Sequence, residues 1–166
     1  MDLDLKGKSV IVTGGGSNIG RAIVLGFAGE GAHITIGDVD TVQAGKTAEF
    51  ATQLGAASVQ VVKTDVTRLD QVQAMFKTAL ERCGGVDVLV NNVGWDKLMF
   101  FTQTTPDFWR EVIDINYLGV LNCTKTALDV MIPKNSGAIV SISSDASRQG
   151  EPREAVYGGV KAAVNS

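Results

Sequence analysis

"SVIVTGGGSNIGRAI" runs from Ser9 to Ile23 and decides the fold. A short β-branched run, Ser9 to Thr13, passes through Gly14, Gly15 and Gly16 into a pattern with helical spacing that carries Gly20. This is a strand, a tight turn and the start of a helix. Small residues at such a turn let backbone N–H groups approach a pyrophosphate, which also meets the positive end of the helix. A plain glycine-rich turn has the same composition, so the surrounding pattern has to decide. The spacing is TG-x3-N-x-G and not the ordinary G-x-G-x-x-G, with Asn18 where a glycine is expected. Asparagine tolerates positive φ better than most residues, which lets the loop keep its shape.

Outward from this stretch, strand-sized apolar runs recur at 33–37, 58–63, 86–91 and 138–143. They are nearly continuous in apolar character, as strands covered on both faces of a parallel sheet are. Helical patterns fill the gaps at 19–30, 41–54, 69–82 and 106–132, and another begins near 154. Thr105, Pro106 and Asp107 make a strong helix start by capping, by ring geometry and by charge. The alternation predicts a single α/β domain with a doubly wound parallel sheet, whose ligands bind beyond the carboxyl ends of the strands.

Composition narrows the function. The 166 residues carry a net charge of -3, with 45% hydrophobic and 20% charged residues. No basic stripe invites nucleic acid or an anionic membrane. No apolar run reaches the length of a membrane span, and the opening "MDLDLKGKSV" lacks a signal-peptide pattern, so a cytoplasmic protein is expected. Cys83 and Cys123 have no metal-ligand spacing and are expected to be ordinary reduced thiols.

Chemistry clusters after the strands. Asp38, in "GDVD", lies about twenty residues beyond the glycine loop, where an acid accepts hydrogen bonds from an adenosine ribose and repels a 2′-phosphate. NAD is therefore expected over NADP, while Asp40 reads as a solvated strand-end acid. Asp65, in "TDVT", offers a carboxylate to an adenine amino group. Near the end, "YGGVK" places Tyr157 and Lys161 one helical turn apart. A lysine there stabilises the tyrosinate and makes the phenol a usable acid/base. Ser143 and Ser144 fall at the end of the preceding strand, where one hydroxyl can hold a carbonyl oxygen.

Taken together, the chain resembles the short-chain dehydrogenase/reductase family over its whole length. The resemblance rests on "TGGGSNIG", Asp38, "DVT" at 65–67, "NNVG" at 91–94, "IN" at 115–116, the serine pair and YGGVK. It implies a Rossmann fold and an NAD-dependent oxidoreductase that interconverts a secondary alcohol and a ketone. Tyr157 is then the general acid/base, and Lys161 its neighbour and a nicotinamide-ribose ligand. Ser144 positions the substrate oxygen, and Asn116 holds a water in a proton relay. The implied cofactor contacts are Gly14, Gly16, Ser17, Asn18, Ile19, Gly20, Asp38, Asp65, Val66, Asn92 and Gly94, with Tyr157 and Lys161; Asn91 steadies the same region. A homotetramer built on the helices at 106–132 and 154 onward is also implied.

The segments "NNVGWDKLMFF" and "SDASRQGEPREAVY" resemble, more loosely, members that oxidise alicyclic hydroxyacyl-CoA thioesters. Trp95, Leu98, Met99, Phe100 and Phe101 are candidates for an apolar pocket mouth. The family continues past its YxxxK helix with two more strands, a Pro-Gly loop and a helical lid. The chain is therefore expected to be the N-terminal part of a longer dehydrogenase. The alternative is a short nucleotide-binding or interaction module without turnover.

Overall fold

β1 (Ser9–Thr13) is buried along its entire length, and its alternate side chains feed two cores. Ile11 points into one and Val10 and Val12 into the other. The computed structural model describes residues 3–166; Met1 and Asp2, the start of the acidic opening, lie outside them. Around β1 the sheet is parallel, five-stranded and ordered β3-β2-β1-β4-β5. The other strands are β2 (His33–Asp38), β3 (Ser58–Lys63), β4 (Val88–Asn91) and β5 (Ala138–Ser141). The third and fourth strands therefore lie on opposite sides of the first two, and the order reverses between β1 and β4.

Helices α1 (Asn18–Gly29) and α2 (Thr41–Leu54) cover one face, burying Val24, Ala28, Ala44 and Ala51 against Ile34, Ile36 and Val90. On the other face, α3 (Leu69–Cys83) and α5 (Gly119–Met131) enclose Ile11 and Leu89 with Val72, Met75, Phe76, Cys123 and Ala127. At roughly 25 cal/mol per Å2 of apolar surface removed from water, these two cores supply most of the driving force for folding. Doubly covered central strands explain the near-continuous apolar runs in the sequence. β5, at the sheet edge, is less buried.

The helix predicted over 106–132 is interrupted. α4 (Pro106–Ile113) gives way to a π-helical turn, Asp114–Leu118, before α5 begins, and Ile132–Lys134 closes as a 3-10 turn. Asn116 causes the interruption locally, because its side-chain amide bonds the Val112 carbonyl one turn back and competes with the main chain. Gly119 follows because α5 comes close to the loop after β3: a Cβ would lie 2.5 Å from Val66 Cγ2. α6 (Ala146–Gln149), a single turn, and α7 (Ala155–Asn165) complete the described elements. Gly158 lets α7 sit against the Ala146 carbonyl, 2.8 Å from where its Cβ would be.

Candidate active site

The glycine loop is held from three directions. Gly14 takes φ +66°, and a Cβ on Gly20 would collide with the Gly14 carbonyl oxygen and approach the Asn92 amide within 2.6 Å. Glycine at 20 is thus required by contact and not by φ. Asn18 adopts φ +46°, the left-handed conformation that the sequence asks of it. From β4, Asn92 Nδ2 donates to the Thr13 and Gly14 carbonyls, and its main-chain N–H to Thr13 Oγ1. From α1, Arg21 Nη2 donates to the Gly16 carbonyl at 2.7 Å, while Thr47 Oγ1 of α2 donates to the same oxygen at 3.0 Å.

Asp38 ends β2 with both oxygens held. Oδ2 accepts from the Gly16 N–H at 2.8 Å and Oδ1 from the Asp40 N–H at 2.9 Å. Asp40, read from sequence as a solvated acid, caps α2 by accepting from Val42 and Gln43 N–H. Asp65 Oδ1 closes its own turn through the Thr67 N–H and hydroxyl.

Beyond β4, Trp95 is gripped by Asn116, which is completely buried. Its Oδ1 accepts from the Trp95 N–H at 3.0 Å, and its Nδ2 donates to the Trp95 and Val112 carbonyls at 2.7 and 2.9 Å. Both amide hydrogens are committed to the protein, so this side chain has no donor to give the relay water that the resemblance implies. Asn91 turns away from the loop, with Nδ2 on Thr124 Oγ1 and Ser141 Oγ.

α7 brings Tyr157 and Lys161 to the same place. Lys161 is only 2% exposed; its Nζ donates to the Ile142 carbonyl at 2.9 Å and lies 5.7 Å from the centre of the Tyr157 ring. Burial pushes the lysine pKa down. The expected lowering at Tyr157 is not found: burial pushes the phenol up, the hydrogen bond with Ser144 works against this, and the Glu154 and Asp96 carboxylates push it further up. Partial burial and two nearby anions outweigh the Ser144 hydrogen bond. Ser144 Oγ also accepts from the Ala146 N–H at 3.2 Å, which fixes it at the start of α6.

These elements enclose a cavity of about 590 Å3 outside the carboxyl ends of the strands, a volume that suits a sizeable ligand. Gly14, Ser17, Asn18, Ile19 and Gly20 form one side, and Asp38, Asp65 and Val66 another. Asn92, Gly94, Trp95, Tyr157 and Lys161 complete it. Gly16, Asn116 and Ser144 are not in its wall: Gly16 and Asn116 act on the wall from behind, and Ser143 lines it where Ser144 was expected to. Leu98, Phe100 and Phe101 are exposed outside it, with Arg153 stacked 5.3 Å over the Phe100 ring. Sequence reasoning missed Arg21 and Thr47. They belong to no motif and were visible only as polar residues on amphipathic helices.

The geometry agrees with what is known of other proteins. A family model described as short chain dehydrogenase matches residues 8–166. A glycine betaine reductase of Emericella nidulans is 38% identical over 95% of this chain, which spans 12% of that protein. An uncharacterized oxidoreductase of Staphylococcus aureus is 34% identical over 98% of this chain and 69% of its own. NAD-bound xylitol dehydrogenase superposes with a TM-score of 0.92 at 30% identity, over 96% of this chain and 62% of that one. A short chain dehydrogenase/reductase from Burkholderia phymatum in complex with NAD gives 0.93 at 32% identity, over 98% and 58%. The chain thus spans about three fifths of the solved relatives' length, and with its motifs, its strand order and this match over nearly all its residues, it belongs to the short-chain dehydrogenase family.

Proposed function

We propose that the chain carries the cofactor-binding and proton-transfer groups of an NAD(H)-dependent oxidoreductase that interconverts a secondary alcohol and a ketone. One observation carries this reading: Tyr157 and Lys161 line the same cavity as the glycine loop and Asp38. A non-catalytic nucleotide module needs the loop and the acid, and has no chemical use for a tyrosine and a buried lysine opposite them.

The residues fit NAD. A loop in which a Cβ on Gly20 has no room leaves backbone N–H groups bare at the start of α1, as a pyrophosphate requires. Asp38, fixed by two main-chain donors, accepts from ribose hydroxyls and repels a 2′-phosphate. When bound, NAD supplies the carbon that accepts or returns the hydride. Tyr157 takes the alcohol proton during oxidation and returns it during reduction. Lys161, buried and with no carboxylate partner among the described residues, presents its charge to the phenolate and to the ribose. Ser144, outside the cavity lining but hydrogen-bonded to Tyr157, is the hydroxyl we assign to the substrate oxygen. Asn116 we assign to positioning, since it locks Trp95 and thereby the wall beside Lys161.

For the substrate, the first class to test is a hydroxyacyl-CoA thioester, supported by the apolar surface of Leu98, Phe100 and Phe101 beside the cavity. A polyol is the second, supported by the likeness to xylitol dehydrogenase. An NAD-reduction screen across hydroxyacyl-CoA thioesters, sugar alcohols and hydroxysteroids separates them. Tyr157→Phe is expected to lower kcat at least about 100-fold, the usual scale for a lost acid/base, with NAD affinity within about twofold of wild type. Undiminished turnover in that variant would refute the assignment, and higher kcat/KM with NADP than with NAD would refute the reading of Asp38. The assembly we infer is a homo-oligomer, a tetramer by family resemblance, acting in the cytoplasm.

A further inference from the structure

We infer that Arg21 is a positioning residue that sets dinucleotide preference by fixing the backbone of Gly16 and, through it, the Asp38 carboxylate. The inference rests on the NAD reading above and adds a residue outside the cavity wall. Its basis is one residue held on both sides of its Cα, through the two peptide groups that meet there. The Gly16 N–H donates to Asp38 Oδ2 at 2.8 Å, while the Gly16 carbonyl accepts from Arg21 Nη2 at 2.7 Å and Thr47 Oγ1 at 3.0 Å.

Nothing in this arrangement has slack. A Cβ on Gly16 would lie 2.9 Å from Asp38 Oδ2 and 3.0 Å from the Ala44 N, so the loop is pressed between β2 and α2. The Arg21 guanidinium spans the gap from α1: Nε donates to Thr47 Oγ1 at 3.0 Å, and Nη2 also donates to Gln43 Oε1 at 3.1 Å. Its planar fork meets three acceptors on two elements, which an ammonium cannot do. Among the described residues Arg21 has no ion pair, and all of these acceptors are neutral. Its hydrogen bonds therefore go into loop geometry, and the loop in turn orients Asp38. A change in φ or ψ at Gly16, which carries no Cβ to limit it, would withdraw the N–H from Asp38 Oδ2 and let the carboxylate swing.

Two mechanisms make opposite forecasts. If Arg21 acts through geometry, its loss lets Asp38 relax. NAD then loses an oriented acceptor while NADP escapes a fixed repulsion, so the preference for NAD falls. If Arg21 acts through its charge, its loss weakens the dinucleotide with the extra phosphate more, and the preference for NAD rises.

The test is titration calorimetry of NAD+ and NADP+ against wild type, Arg21→Met and Arg21→Lys, with the thermal midpoint of each recorded. Arg21→Met is expected to weaken NAD+ binding about 10-fold, the scale of a lost charge-assisted hydrogen bond, and NADP+ binding less than about threefold. Arg21→Lys keeps the charge, loses the fork, and is expected to follow Arg21→Met. Gln43→Ala, which removes one of the three acceptors and leaves the fold intact, is expected to shift the same ratio in the same direction by less. An unchanged NAD-to-NADP ratio in Arg21→Met, with only a lower thermal midpoint, overturns the inference in favour of a purely structural role. So does a rise in the ratio, or full recovery in Arg21→Lys. A wild-type chain that binds neither dinucleotide overturns the cofactor reading itself, and the inference with it.

Discussion

Tyr157 faces a conflict that its neighbours create. Burial and the carboxylates of Glu154 and Asp96 push its pKa above the ordinary tyrosine value, while the Ser144 hydrogen bond pulls the other way. Glu154 is itself pushed up by burial, Asp96 and Glu151, in that order, so the three acids repel one another beside the phenol. For alcohol oxidation the phenolate is the working form, and the rate rises with pH through the Tyr157 pKa. An ionised Glu154 disfavours that phenolate. Glu154→Gln removes the anion, so the rising limb of the oxidation profile is expected to move to lower pH, and the falling limb of ketone reduction with it. Measured kcat/KM profiles in both directions check this; a limb that stays put or moves to higher pH would show that Glu154 does not act on Tyr157. Sequence alone revealed the pair at 157 and 161 because four-residue spacing is local. It could not reveal Glu154 and Asp96 as opponents of the phenolate, because Asp96 reaches Tyr157 only through the packing of α7 against the loop after β4.

At the level of elements, the strands were legible because burial on both faces leaves a simple apolar signature; β4 is two residues shorter at its start than expected, and β5 two residues shorter at its end. The long helix was misread. Its periodicity continues across 106–132; at the π turn, Asp114–Leu118, Asn116 bonds both Val112 one turn back and Trp95 from the loop after β4, and no local pattern encodes the second partner. The short α6 was hidden in a segment of serines and small residues that reads as loop. The π turn earns its keep through Asn116, whose side chain satisfies the Trp95 N–H, the Trp95 carbonyl and the Val112 carbonyl together. Asn116→Leu would leave these groups without that partner, at a cost of about 2–3 kcal/mol. Urea denaturation should register that loss, and the KM for both substrates should rise as the Trp95 segment loosens. A loss below about 0.5 kcal/mol would mean that other contacts hold the segment.

For the whole molecule, the doubly wound sheet and the cavity at its strand ends follow from alternating elements and short right-handed connections. What the sequence pattern hides is which helix faces remain uncovered. Along α5 and its flanking turns, Leu118, Leu121, Leu128 and Ile132 are exposed, Leu121 by 46% and Ile132 by 69%. Their spacing of three, seven and four residues sets them on one side of the helix, in line with Lys125, whose ammonium pairs with Asp129. Single exposed leucines are ordinary, but a line of them on one helix face is the pattern that a second copy covers. The same face belongs to the helix that the homo-oligomer reading requires. A second cation at 121, one turn from Lys125, whose carboxylate partner is Asp129, would be repelled by that ammonium and desolvated on association, a cost of several kcal/mol counted over a symmetric pair. Leu121→Arg is therefore expected to yield a smaller species than wild type by light scattering. Its far-ultraviolet circular dichroism should be unchanged, because Leu121 contributes to neither core. Wild-type mass in that variant would place the interface elsewhere and return the exposed leucines to ordinary surface.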